Sequence, residues 1–221
     1  FDGTDVIHVE GSVDPIRDIQ TIDTELILSD LEVVENRQAR MAKAAKTGDK
    51  KAGAAAQWLA ELAAHLGEGK NARTFEFDET DEDQMAQKKE MGLLTAKPVI
   101  YAANLSEDDL MEGVDSNPHL EAVRKLAEAE GAQCIPICAK TEEDIADYSP
   151  EEKAAFLAEM GVTASGLDNL VKASYTLLGL ISFLTDGKKE CRAWTIRKGT
   201  KAPQAAGKIH SDIERGFIRA S

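Results

Sequence analysis

Apolar residues that step by threes and fours from Ile19 to Leu66 constrain this chain more than any other feature of it. Ile19, Ile22 and Leu26 recur at helical spacing, and Ile27, Leu31, Val34, Gln38 and Met41 continue at alternating steps of four and three. Steps of that kind keep one stripe facing a partner helix. Thr47-Gly48-Asp49 interrupts them: Gly48 suits the end of one helix, and Asp49 can cap the start of the next. Ala55, Leu59, Leu62 and Leu66 then resume the pattern up to Gly67 and Gly69. The pattern predicts an antiparallel helical hairpin within residues 16–73. Its tip carries a basic island of Arg37, Arg40, Lys43, Lys46, Lys50 and Lys51.

The remainder reads differently. Before the hairpin, Val6–Val9 has the character of a strand end, followed by a turn through Gly11 and Asp14-Pro15. After it, residues 74–83 read as an extended acidic connection, and a helix from Met85 to Leu94 stops before Pro98, which disfavours helical geometry in Lys97. Val99–Ala103 and Cys134–Cys138 are short apolar runs of strand type, and between them Leu120, Val123, Leu126 and Ala127 mark a helix ending at Gly131. Strand, helix, strand in that order is the signature of a parallel α/β sheet. Ser149-Pro150-Glu151-Glu152 opens a further helix, and Leu167–Leu180 makes another. Residues 181–184 and 190–196 then form a β-hairpin about a turn at 185–187. A helix after Pro203 puts Ala206, Ile209, Ile213 and Phe217 on one face. This last part has the look of an unfinished small β/α domain.

Charge and cysteine content narrow the possible partners. The net charge of −14 is unevenly spread: residues 185–221 hold nine Lys/Arg against four Asp/Glu, and the residues before them 17 against 36. Such a chain does not bind nucleic acid over its whole surface and gives no reason to expect DNA specificity. Its two basic islands could dock on phosphates, or they could be solvated faces. The nearly apolar stretch Ala173–Leu184 is broken by Ser174, Thr176 and Ser182 and is too short to span a bilayer, so no membrane role is expected. Three cysteines cannot all pair, which points to a reducing, cytoplasmic setting. Cys134 and Cys138, four apart in a strand, stand roughly 13 Å apart, too far for a disulfide or a shared metal ion. His8, His65 and His119 have no partner at ligand spacing, and His210 carries no assigned chemistry. Packing is the expected role of Trp58 and Trp194.

The residues that bear on chemistry sit where the two apolar strands end. Val99-Ile-Tyr-Ala-Ala-Asn104-Leu105-Ser106-Glu107 places an amide and then a carboxylate just beyond one strand, and Cys138-Ala139-Lys140 closes the next. Open α/β sheets bind ligands at the carboxyl ends of their strands. GTPases read their base there with an Asn-Lys-x-Asp loop and a Ser-Ala-Lys loop. A plain helix cap built from Asn104 and Ser106 is the alternative reading of the same residues.

Longer runs carry a resemblance. His8-Val-Glu-Gly-Ser-Val-Asp-Pro15, Asp23-Thr-Glu-Leu-Ile-Leu-Ser-Asp-Leu31, Lys97-Pro-Val-Ile-Tyr-Ala-Ala-Asn104, Arg192-Ala-Trp-Thr-Ile196 and the long stretch Ala202–Ala220 are similar to the YchF-type Obg-like ATPases, over essentially the whole chain. The resemblance implies an α/β fold: part of a P-loop NTPase G domain (1–15 and 74–180), an α-helical hairpin or coiled-coil insert (16–73), and the first part of a β-grasp TGS domain (181–221). It implies a ribosome-associated ATPase acting in translation or its regulation, with ATP preferred over GTP and Mg²⁺ bound in the parent protein. It places Asn104, Leu105, Glu107, Cys138 and Ala139 at the nucleotide base, and makes Arg37, Arg40, Lys43 and Lys46 candidate contacts to RNA or the ribosome, together with the basic C-terminal region.

Leu105 stands for the usual Lys and Glu107 for the usual Asp, which weakens a guanine clamp. Hydrolysis further requires a Gly-rich loop with Lys and Ser/Thr for the phosphates and Mg²⁺. Gly207-Lys208 is followed by Ile209 and does not make that loop. By the resemblance the phosphate-binding loop precedes Phe1, so catalytic residues are expected upstream and this chain alone is expected to hydrolyse nothing. The rival expectation is a non-enzymatic helical hairpin that binds protein partners and has no nucleotide role.

Overall fold

Asp14 opens the first helix: its carboxylate accepts the Arg17 N–H at 3.1 Å, and Pro15 follows as the first helical residue. In the computed structural model, which describes residues 12–162, 164–187 and 190–219, this helix, α1, runs Pro15–Ala45. The Val6–Val9 strand and His8 lie outside the described residues, as do all but the last four residues of the 1–15 segment. Gly48, at φ 93°, turns the chain, and Asp49 caps α2 (Lys50–Gly67) by accepting the Ala52 N–H at 3.1 Å. The two helices pack as a hairpin.

The described parts of Phe1–Val99 and Asn117–Ala132 form one compact unit, and Ile100–Ser116 with Gln133–Ser221 form a second. In the first, Ile27 and Val34 of α1 meet Leu59, Leu62 and Leu66 of α2, with Ala72 and Leu93 closing the core. Each large aliphatic side chain buried there contributes about 1.5–3 kcal/mol. The apolar stripe read from the sequence holds from Ile27 onward, but Ile22 is exposed. A polar residue takes a core place instead: Asp30 is 2% exposed. Residues 75–77 are also more than a connection. Phe75 and Phe77 pack on the core, their rings 5.0 Å apart, and Trp58 meets Phe77 edge-on at 6.3 Å. The acidic residues beyond them serve α3 (Glu82–Met91), whose cap Asp81 accepts from Asp83 and Gln84. Gly92, in the left-handed region, ends that helix earlier than its apolar pattern alone implies.

In the second unit, β1 (Ile100–Asn104) lies parallel to β2 (Gln133–Ile137), with Asn104 opposite Ile137. The connection between them holds a short α4 (Glu107–Glu112) and α5 (Pro118–Ala129), the latter grouped with the hairpin unit. After β2 come α6 (Ala139–Asp144), α7 (Pro150–Glu159) and α8 (Gly166–Leu177). Ser149 opens α7 with a capping box to Glu152. Helix α8 packs on both strands, and it begins on glycine for a steric reason: a Cβ on Gly166 would lie 2.9 Å from the Ile137 Cα.

The antiparallel pair β3 (Leu180–Asp186) and β4 (Cys191–Arg197) follows. The single helix expected after Pro203 is two: α9 (Ala202–Ile209) and α10 (Ser211–Arg215). His210 between them is extended, at φ −163° and ψ 141°, and its Nδ1 accepts the Asp212 N–H at 3.1 Å. An imidazole acting as a helix cap breaks the stripe that Ala206, Ile209, Ile213 and Phe217 would have made.

Candidate functional site

Two loops, one leaving each parallel strand, are held together by three cross-strand bonds. The ladder continues one step past β1, where the Leu105 N–H donates to the Ile137 carbonyl at 2.8 Å. Leu105 is buried and anchors the turn from below. The Asn104 side-chain Oδ1 accepts the Ala139 N–H at 3.0 Å. The Lys140 ammonium donates to Glu107 Oε2 at 2.5 Å. Asn104, Leu105, Glu107, Cys138 and Ala139 therefore lie on adjacent turns of one sheet edge.

Helix capping sets the direction of each group. Ser106 is the N-cap of α4 and shares a capping box with Asp109, its Oγ accepting the Asp109 N–H at 3.2 Å. That places Glu107 in the first turn with a side chain 31% exposed. Ser106 alone thus fulfils the cap reading; Asn104 bonds to the second loop instead. Cys138, buried, is the N-cap position of α6, and Ala139 and Lys140 are its exposed first residues. The Asn104 carboxamide, with Oδ1 turned to a backbone N–H, keeps its NH₂ to donate elsewhere.

Lys140 closes the Cys138-Ala139-Lys140 run legible in the sequence, but nothing in the sequence assigns its side chain a partner. Its hydrogen bond to Glu107 and the carboxylate's charge raise its pKa above the usual lysine range, so it stays charged. A Glu and a Lys just past the ends of two neighbouring strands was the available signal, and it depends on the strands being adjacent and parallel.

Below Cys138 a small cavity of about 110 Å³ runs between α6, α7 and the start of α8. Thr141, 2% exposed, lines it, and its hydroxyl has no protein partner among the described residues. Among the described residues no group of three His, Cys, Asp or Glu side chains could hold a metal ion, and the three cysteines are free thiols.

The basic island of the hairpin divides in two. Arg37 is not a tip residue: its guanidinium forms a fork onto both Glu90 oxygens of α3, with the NH1 bond at 3.0 Å, and its side chain is only 13% exposed. Lys51 pairs with Asp83 at 2.6 Å. Arg40, Lys43, Lys46 and Lys50 remain exposed around the turn. The sequence grouped Arg37 with these by spacing along α1; the packing of α3 against that helix removes it.

Residues 180–221 match the YchF-GTPase_C family model, described as a protein of unknown function (DUF933). The Ribosome-binding ATPase YchF of Bacillus subtilis (strain 168) is 48% identical over 220 residues, which is 100% of this chain and 59% of that protein. The chain is homologous to the YchF-type Obg-like ATPases along its whole length. The protein of the same name from Escherichia coli O157:H7 is 44% identical over the same extent, and the Obg-like ATPase 1 of Gallus gallus is 41% identical over 223 residues, 55% of its length. The solved structure of the Schizosaccharomyces pombe YchF GTPase superposes with a TM-score of 0.81 at 35% identity, covering 98% of this chain and 58% of that one. The chain thus spans about three-fifths of the length of these YchF-type relatives. Among its described residues no helix is long and apolar enough to cross a membrane.

Proposed function

We propose that this chain supplies the base-recognition edge and the partner-contacting hairpin of a ribosome-associated, nucleotide-hydrolysing protein that prefers ATP to GTP. The observation that carries the proposal is the junction of Asn104 with Ala139 at the carboxyl ends of two parallel strands. A purine seated between those turns would receive the Asn104 NH₂ at an acceptor common to adenine and guanine, with the Leu105 backbone alongside. Glu107, Cys138 and Ala139 border the same place.

In this reading residues 16–73 are the insert, 1–15 and 74–180 parts of a G domain, and 181–221 the start of a TGS domain of β-grasp type. The groups that grip the triphosphate and its Mg²⁺ belong to the rest of the parent, and this chain by itself hydrolyses no nucleotide. The names of the bacterial relatives support the ribosome as partner, and the exposed Arg40, Lys43 and Lys46 at one end of a long hairpin offer phosphate contacts. The parent acts in the cytoplasm, in translation or its regulation.

Two measurements on the full-length protein test this. Asn104→Ala should weaken ATP binding about tenfold, the effect of removing one buried hydrogen bond to the base. Replacing Arg40, Lys43 and Lys46 together by Gln should lower ribosome cosedimentation and flatten its salt dependence. Unchanged nucleotide binding would remove the base site, and unchanged cosedimentation would remove the hairpin's role in docking.

A further inference from the structure

Lys140 stands beside the two loops with a charge that base binding as described so far does not use. It sits in the first turn of α6, Glu107 sits in the first turn of α4, and their bond spans the two loops. We propose that Lys140 is a specificity-determining residue: it withdraws Glu107 from guanine and presents N–H donors to the Watson–Crick edge of adenine. The inference rests on the reading that a purine seats between these loops.

Guanine shows two neighbouring donors at that edge, N1–H and the 2-amino group. A carboxylate binds them by turning both oxygens toward the base. Here Glu107 Oε2 is held by the ammonium at 2.5 Å, and the negative charge that would strengthen the guanine contact is neutralised. Adenine has no 2-amino group and shows an acceptor at N1, which a bare carboxylate would repel. An ammonium has three donors, so two remain after the bond to Glu107. The same ion pair thus weakens one base and accommodates the other, which is discrimination by attraction and exclusion together.

The second cross-loop bond acts in the same direction. The Ala139 N–H is already given to Asn104 Oδ1, so it has less to offer a carbonyl such as guanine O6. Lys140 itself is 69% exposed, and an exposed ion pair adds little to stability, so the residue can be changed without unfolding the protein.

Fluorescent analogues of ATP and GTP are titrated into the full-length protein and its Lys140→Met, Lys140→Arg and Lys140→Met/Glu107→Gln variants. In Lys140→Met the ratio of ATP to GTP affinity should fall about fivefold or more, mainly through tighter GTP. The double variant should lose that gain, and Lys140→Arg, which keeps the ion pair, should hold the original ratio. An unchanged ratio in Lys140→Met with both nucleotides still bound overturns the role of Lys140, as does an equal loss of both. If the unaltered protein binds neither analogue, or Asn104→Ala binds both as well as it does, the base site itself fails and Lys140 with it.

Discussion

Thr95 gives both its backbone N–H and its hydroxyl to one oxygen of Asp30, at 2.7 and 2.6 Å. The other Asp30 oxygen accepts the Leu94 N–H at 2.8 Å, and the Thr95 hydroxyl in turn accepts the Ala72 N–H at 2.9 Å. A carboxylate on the buried face of α1 thereby fixes the ends of two segments that have no regular ladder of their own. Backbone donors left unpaired in such a place cost about 1–3 kcal/mol each.

Asp30→Ala should therefore destabilise the protein by about 2–4 kcal/mol in urea unfolding, and Thr95→Val by about 1–3 kcal/mol through the Ala72 N–H. Thr95→Ser, which keeps the hydroxyl, should stay close to the original. A loss under about 0.5 kcal/mol in Asp30→Ala would mean that water satisfies these donors and that the carboxylate does not hold the segment.

Gly166→Ala sets two effects against each other. Alanine favours a helix interior over glycine by about 1 kcal/mol, an upper bound at the first helical position that Gly166 holds. The added Cβ, however, would meet the Ile137 Cα and Cγ1 at 2.9 Å, and the Cα cannot rotate away as a side chain can. Overpacking of that kind costs about 1–3 kcal/mol, so the net change should be a lower melting temperature. Because the Ile137 carbonyl also receives the Leu105 N–H, the Leu105 amide should exchange faster in the variant. An equal or higher melting temperature would show that β2 yields at its end.

The Arg37–Glu90 fork has a pH signature. The hydrogen bond from Arg37, and then its charge, hold the Glu90 carboxyl below its ordinary range, while the same bond raises Arg37. A carboxylate lowered on folding stabilises above its unfolded pKa, about 4.3, and that contribution fades as the pH falls through the lower folded value. Glu90→Gln should thus melt below the original protein at pH 7, with the gap narrowing as the pH falls below the unfolded value of about 4.3. A gap that stays constant with pH would place the effect in packing rather than in the ion pair.

Much of the architecture is legible in local chemistry. Glycine in the left-handed region at 48, a carboxylate cap at Asp49, the Ser149 capping box and the two apolar five-residue runs each act through neighbours in sequence, so their outcome is written in sequence order. The helix after Pro203 reads as one because apolar spacing carries no notice that His210 leaves the helix and caps the next. Phe75 and Phe77 read as part of a solvated run because the acidic residues around them outweigh two rings whose burial depends on Trp58, distant in sequence.

Most helix and strand segments, and the residues that leave the two strand ends, follow from the order of residues alone, since caps, turns and apolar period are properties of short stretches. What those residues touch follows from how the segments pack. Pairing β1 with β2 in parallel made Asn104 a partner of Ala139 and Glu107 a partner of Lys140, 33 residues apart. Packing α3 on the hairpin turned Arg37 from a surface charge into a fastening. Hydrogen bonds and ion pairs act over a few ångströms of space, and separation along the chain does not report that distance.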